Sequence, residues 1–440
     1  MPTATFHFPR GFLWGTATAA HQVEGQNTNN NWAAWESEPG RILEDDKAGL
    51  ACDWWGGRWR EDFDRAAESG QNAHRLSIEW SRVQPQPDRW DEDALDRYRA
   101  MLRGLVERKL TPMVTLHHFS DPLWLHQRGS WENAETPAYF DAFVHKVVGA
   151  LKEYVSLWVT INEPNVYTYG GWLGGGFPPG KNDLNLAYAV MGNLVRAHAL
   201  AYRSIHAIQP QAQVGFAHHY RSFWQTHKNS PLDKLVARQL HLAWNESFMR
   251  ALTDGRFHFL TKRCRIPEAA GTQDFIGLNY YSVDEVAFAL APGELFHKRR
   301  FPPGYEVSET GQSANVPRGF FEGLKWAHQR RLPIYVTENG IEDRVDDFRR
   351  RYTLLHLHQL WRACNFNWEI KGYFHWSLVD NFEWERGWTQ RFGLWGLENE
   401  TQKRVRRPSV DMYAAICREN AISYATVEKF APELVPVLYP

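Results

Sequence analysis

Two hydrophobic rhythms alternate along this chain. Short apolar runs occupy positions 12–17, 73–78, 113–117, 157–162, 214–217, 275–279, 334–337 and 372–376. Between them, stretches such as 94–108, 136–154, 186–208, 320–331 and 347–362 carry apolar residues at spacings of three and four. The first rhythm fits strands buried on both faces, and the second fits helices that bury one stripe. Eight such units predict an α/β fold: a single (β/α)8 TIM barrel with long βα loops forming a cleft. A doubly wound sheet is the competing arrangement. It would ideally place a G-x-G-x-x-G turn after the first strand, and none follows 12–17. No linker and no repeat of fixed period interrupts the series, so residues 1–440 are expected to form one domain. The stretch 291–318, with APG, HKRRFPPG and SETGQSAN, is expected to be a long loop.

Composition narrows the function classes. The chain is 43% hydrophobic and 23% charged, which fits a soluble globular protein and excludes disorder. With 50 Lys+Arg against 51 Asp+Glu there is no bulk pull toward nucleic acid or an anionic membrane, and neither is an expected partner. No run approaches 18 apolar residues, so no span is expected. The opening MPTATFHFPRGFLWGTATAA lacks a basic segment followed by an apolar one, so no signal peptide is expected. Cys52, Cys264, Cys364 and Cys417 lie far apart without a C-x-x-C, which suggests a reducing, cytoplasmic compartment. The His pairs 117–118 and 218–219, and His356 with His358, lack a metal-ligand spacing, so no metal and no cofactor is expected. GGFPPGK at 175–181 approaches a phosphate loop, but Asn182 replaces the required Ser/Thr, and Pro178 and Pro179 have no N–H for phosphate.

In a barrel the C-terminal strand ends face the site. Here those ends carry Gln22 and Glu24, then Arg75 with Glu79 and Trp80, His117-His118, Asn162-Glu163-Pro164, Asn279-Tyr280-Tyr281, Glu338-Asn339-Gly340, and Trp376 with Asp380, Glu383 and Trp384. Glu163 and Glu338 hold matching places after the fourth and seventh runs, nearly across the mouth. Two carboxylates about 5 Å apart are the apparatus of retaining glycoside hydrolysis; a gap of roughly 6.5–9.5 Å would imply inversion. The 21 Trp, 17 Tyr and 25 Phe also supply aromatic faces that can stack on sugar C–H surfaces, although most must be core.

Seven motifs, in order and each at or just after an expected strand end, carry a resemblance. They are FLWGTATAAHQVEG, HRLSIEWSRV, TLHHF, TINEP, FIGLNYYS, YVTENG and YFHWSLVDNFEW. Together they resemble glycoside hydrolase family 1, the β-glucosidase and β-galactosidase family, over nearly the whole chain. The resemblance implies a retaining exo-β-glycosidase acting on terminal non-reducing β-D-glucosyl residues, with β-galactosyl and β-fucosyl also in range. It implies double displacement through a covalent glycosyl-enzyme, and a small β-glycoside or short oligosaccharide as partner. Position by position, it implies Glu163 as acid/base and Glu338 as nucleophile. Gln22, His118, Asn162, Glu383 and Trp384 would bind the −1 sugar, with Trp376 as its platform. Arg75 and Tyr281 would hold and ionise the nucleophile. Negative Glu338 is then expected to raise the Glu163 pKa in the free protein. Asn279 is expected to shape the site without an assigned role.

Departures fall mostly at the cleft rim. Phe119 stands where the family usually has Trp, and LWGLENETQKR replaces the usual turn after the last motif. Ala217-His218-His219 lacks the usual Asn-containing sequence, so no ligand-binding residue is expected there. A 6-phospho-β-glycosidase would favour a Ser and a cationic pocket where Glu383 and Trp384 stand. A myrosinase-like enzyme would lack the acid, yet Glu163 is present. A non-catalytic sugar-binding protein would need neither glutamate.

Overall fold

The computed structural model describes residues 4–291 and 295–440. Eight parallel strands close into a barrel: β1 Leu13–Ala17, β2 Ala73–Ser77, β3 Thr111–His117, β4 Leu157–Asn162, β5 Gln213–His219, β6 Phe275–Tyr280, β7 Ile334–Asn339 and β8 Ile370–Trp376. Each pairs with its sequence neighbour, and β8 returns to β1 through Gly372↔Leu13 to Trp376↔Ala17. These are the eight expected runs, lengthened by a residue or more in several places. Burial on both faces explains their apolar character: every residue of β2, β4 and β6 is buried.

The expected helices also form, with shifted ends: Glu92–Glu107, Thr136–Leu151, Leu184–Ile208, Pro317–His328 and Phe348–Asn365. Local chemistry sets several starts. Asp183 accepts hydrogen bonds from the N–H groups of Asn185 and Leu186 at 2.7 and 3.1 Å, and so caps the longest helix. Pro317 opens its helix at a position where a missing N–H costs nothing.

The stretch 291–318 is not simply a loop. His297–Arg300 is a strand, antiparallel to Val283–Phe288, which in turn runs parallel to Ser222–Gln225. This three-stranded sheet sits beyond the ends of β5 and β6. The strand was illegible because its sequence, HKRR, has no apolar alternation to mark it. Of the same stretch, residues 292–294 lie outside the described residues. LWGLENETQKR likewise folds into a hairpin of Trp395–Glu398 and Lys403–Arg406. Among the described residues, no helix is long and apolar enough to cross a membrane.

Candidate active site

The centre of the site is a buried guanidinium. Arg75, on β2, is fully buried, so its charge needs partners. Its Nη1 donates to Glu338 Oε1 at 2.6 Å and to the Thr337 carbonyl at 3.1 Å. Its Nη2 donates to Asn162 Oδ1 at 2.7 Å, and its Nε to Thr115 Oγ1 at 3.0 Å. One side chain thereby ties β2 to β3, β4 and β7 across the barrel interior. Tyr281 donates to the other Glu338 oxygen, Oε2, at 2.7 Å. Glu338 is thus fixed at both oxygens. The residues around it are fixed in turn. Gly340 follows β7 where an added Cβ would lie 2.0 Å from the Trp376 carbonyl oxygen, so only glycine fits between the two strand ends.

Glu163 sits just past β4 with φ 43° and ψ 59°, a left-handed conformation rare for a residue with a Cβ. Its N–H donates to the Ala217 carbonyl at 2.7 Å, and Pro164 then starts a helix. This sharp exit turns the Glu163 carboxyl into the cleft. Asn279 donates to Glu163 Oε1 at 2.8 Å and to Asn162 Oδ1 at 3.2 Å, while Thr337 Oγ1 donates to Asn279 Oδ1 at 2.6 Å. Asn279 therefore links the two glutamate neighbourhoods, a role that the sequence left open.

The other candidates assemble around this pair. Asn162 Nδ2 lies 2.9 Å from His118 Nε2. Gln22 Nε2 donates to Asn381 Oδ1 at 2.9 Å, to the Phe382 carbonyl at 2.8 Å and to Glu383 Oε2 at 3.1 Å. The His118 ring lies 5.8 Å from Trp384 and 6.0 Å from Trp376. A cavity of about 220 Å³ is lined by His118, Glu163, Tyr281, Glu338, Trp376, Glu383 and Trp384, among others. Gln22, Arg75 and Asn162 are completely buried and touch these residues through the hydrogen bonds above. Phe119 also reaches the lining, its ring 5.1 Å from Trp384.

Both His-His pairs split between two faces, as alternation along a strand requires. His117 turns to Asp121 at 2.9 Å, and His118 turns to the cleft. His218 turns to Asn245, and His219 turns to the cleft. No ligand-binding residue was expected at the end of β5, yet its last residue, His219, lines the cavity and its Nδ1 lies 3.3 Å from Glu163 Oε1. Only the departure from the family's usual Asn marked this position, and that departure hid an imidazole with hydrogen-bonding capacity of its own.

The two carboxyls influence each other's ionisation. Burial pushes Glu338 up to about 7; Arg75 opposes this and negative Glu163 adds to it. Burial acts the same way on Glu163, but His219, Asn279 and Arg75 outweigh it and hold Glu163 below the usual carboxylate value. The two carboxyls titrate as a pair, and between its two macroscopic pKa values the pair holds one proton. Glu383 is held well above its usual value by burial first, then by Glu385 and Glu338, which favours its neutral form.

The family model described as glycosyl hydrolase family 1 matches residues 4–422. The chain belongs to this family. It is a glycoside hydrolase. It is 32% identical over 449 residues to β-glucosidase A of Thermotoga maritima, covering 94% of this chain and 98% of that protein. It is 31% identical over 450 residues to a 1,4-β-D-glucan glucohydrolase of Thermotoga neapolitana, covering 94% and 99%. Among solved structures, a β-glycosidase from Pyrococcus horikoshii superposes with TM-score 0.90 at 34% identity, covering 97% of this chain and 98% of that one. The Thermotoga maritima β-glucosidase in complex with glucoimidazole superposes with TM-score 0.89 at 30% identity, covering 95% and 100%.

Proposed function

We propose that this family 1 glycoside hydrolase is a retaining exo-β-glycosidase. It removes terminal β-D-glucosyl residues, and β-galactosyl and β-fucosyl residues as related substrates, with one barrel domain carrying the whole reaction. The observation that carries the reading is the clamp of Arg75 and Tyr281 on both oxygens of Glu338, with a second glutamate, Glu163, lining the same cavity. Four unpaired thiols fit a reducing, cytoplasmic setting.

In the first step Glu338 attacks the anomeric carbon while Glu163 gives its proton to the glycosidic oxygen. The C–O bond to the aglycone breaks, and a glycosyl ester forms. In the second step Glu163, now ionised, takes a proton from water as that water attacks the same carbon and frees Glu338. Arg75 and Tyr281 stabilise the carboxylate of Glu338 as it leaves. Asn162 is placed beside Glu163 to bond the sugar 2-OH, an interaction that strengthens in the transition state. Gln22, His118 and Glu383 bond the remaining hydroxyls, over Trp376 and beside Trp384. A neutral Glu383 can both donate to and accept from neighbouring hydroxyls. The 6-phosphoglycoside reading is disfavoured because the buried carboxyl of Glu383, held by Gln22, stands where a phosphate on O6 would need cationic partners. Two inversions at one carbon leave the β configuration. Proton NMR of an aryl β-glucoside digest is expected to show the β-anomer of glucose first, with α-glucose appearing only through mutarotation. An initial α-anomer would overturn double displacement, and no release of glucose at all would overturn the glucosyl specificity.

The pair's proton predicts a pH dependence. The competent pair holds one proton, so kcat/KM for an alkyl β-glucoside is expected to fall as pH rises through about 7, the value to which Glu338 is raised. His219 is the largest influence holding Glu163 down. In His219→Asn that influence is gone, the pair keeps its proton to higher pH, and the alkaline limb moves up. A limb that stays put or moves down would show that His219 does not tune the acid.

A further inference from the structure

The catalytic cavity opens into a second space of about 420 Å³ and, beyond it, a third of about 480 Å³. The first two share Phe177, His219, Arg221 and Gln312 in their walls, and the last two share Tyr169, Arg221, Trp244, Asp284 and Arg299. The run leads away from the Glu163 side, where the proton is delivered, so it is the aglycone side of the cleft.

Its chemistry is uneven. Trp244 presents a partly exposed indole, 4.8 Å from the Tyr169 ring, held by its Nε1–H donating to the His219 carbonyl at 2.9 Å. Around this apolar face, Tyr169 Oη, His219 Nε2 and Arg221 Nε are buried atoms without a hydrogen-bond partner in the protein. All three residues line the second space. The charges are cationic in sum. Arg221 and Arg299 share one carboxylate, Asp284 Oδ2, at 3.0 and 3.6 Å, so two positive charges meet one negative charge. The neighbouring charges cancel in pairs: Arg300 with Glu285 at 2.8 Å, and Arg386 with Glu385 at 3.2 Å. The rim sheet makes this arrangement. Pairing Val286 with Arg299 and Glu285 with Arg300 puts Arg299 on the Asp284 side and Arg300 opposite.

We propose that the space lined by Trp244, Arg221 and Arg299 binds the aglycone and selects one that carries a carboxylate on a ring stacked against Trp244. The inference rests on the glycosidase reading and adds to it a leaving-group class. A guanidinium is suited to a carboxylate through its planar set of donors, and Arg221 Nε has no acceptor within the protein.

The test uses the β-glucosides of 3-(4-hydroxyphenyl)propanoate and of its primary amide. The methylene arm insulates the phenol, so the two leaving groups have nearly equal intrinsic reactivity and differ in charge. For the wild-type protein at low salt, kcat/KM is expected to favour the acid by about fivefold or more, and the preference to shrink at 0.5 M NaCl as the Debye length falls to between about 3 and 10 Å. Arg299→Gln should lower the acid-to-amide ratio toward one, and Asp284→Asn should raise it. Turnover of the amide glucoside reports on the glycosidase reading, and the ratio reports on this inference. Titration calorimetry of the free acid and free amide gives the same comparison without turnover. A wild-type ratio at or below one, or two variants that shift it in the same direction, would overturn the proposal.

Discussion

Glu338→Gln is expected to lower kcat/KM for 4-nitrophenyl β-glucoside by on the order of 10⁵-fold. The amide keeps an oxygen for Arg75 Nη1, which now donates to Glu338 Oε1 at 2.6 Å. The fold is therefore preserved while the nucleophile is removed. The size of the loss follows from what the carboxylate does: it forms the bond that divides one hard displacement into two easier ones, and no neighbour can replace it. Arg75 is a cation, and Tyr281 is held well above its usual pKa by burial and by Glu338, so its phenol stays protonated. Glu338→Ala adds a stereochemical test. With the side chain gone, azide can enter from the vacated face while Glu163 still protonates the aglycone. A single inversion then gives the α-glucosyl azide. Azide product of β configuration from this variant would mean that Glu338 is not the nucleophile.

Much of the site was legible because a barrel turns sequence order into spatial order. Eight apolar runs put eight strand ends at one mouth, and the polar residues at those ends had to face each other. Arg75 shows why this worked: a charge inside an apolar strand requires a buried acceptor, and here it finds Glu338 and Asn162. What stayed illegible is which partners a side chain meets once strand alternation has turned it. His218 and His219 are adjacent, yet one packs toward Asn245 and the other approaches Glu163. The contacts that tune the carboxyl pair were hidden for the same reason, since they come from that imidazole and from the Asn279 amide. The rim strand His297–Arg300 escaped because an edge strand facing solvent on a charged surface has no apolar signature. These omissions meet on the aglycone side of the cleft, where His219, Arg221, Asp284 and Arg299 gather. The buried half of the site is dictated by the barrel, whereas its specificity is written in the loops that the pattern describes least.

Glu163→Ala is expected to fail in a way that depends on the leaving group. For 4-nitrophenyl or alkyl β-glucosides, loss of general acid catalysis should cost about 10²–10⁴-fold in kcat/KM. For 2,4-dinitrophenyl β-glucoside, whose phenolate departs without a proton, kcat/KM should fall far less. The second step then limits turnover, because water has lost its base, and the glycosyl ester on Glu338 accumulates. A burst of dinitrophenolate followed by slow release reads this directly. Azide needs no base, so it should restore turnover by attacking the ester from the face that water uses, giving the β-glucosyl azide. The structure adds a condition to this test. Asn279 and His219 both contact Glu163 Oε1, at 2.8 and 3.3 Å, so the Ala variant leaves an amide and an imidazole lining the gap. Both are hydrogen-bond donors suited to a small anion, which favours azide entry at low concentration. Equal losses for the good and the poor leaving group, or the α-azide as product, would exchange the roles given to the two glutamates.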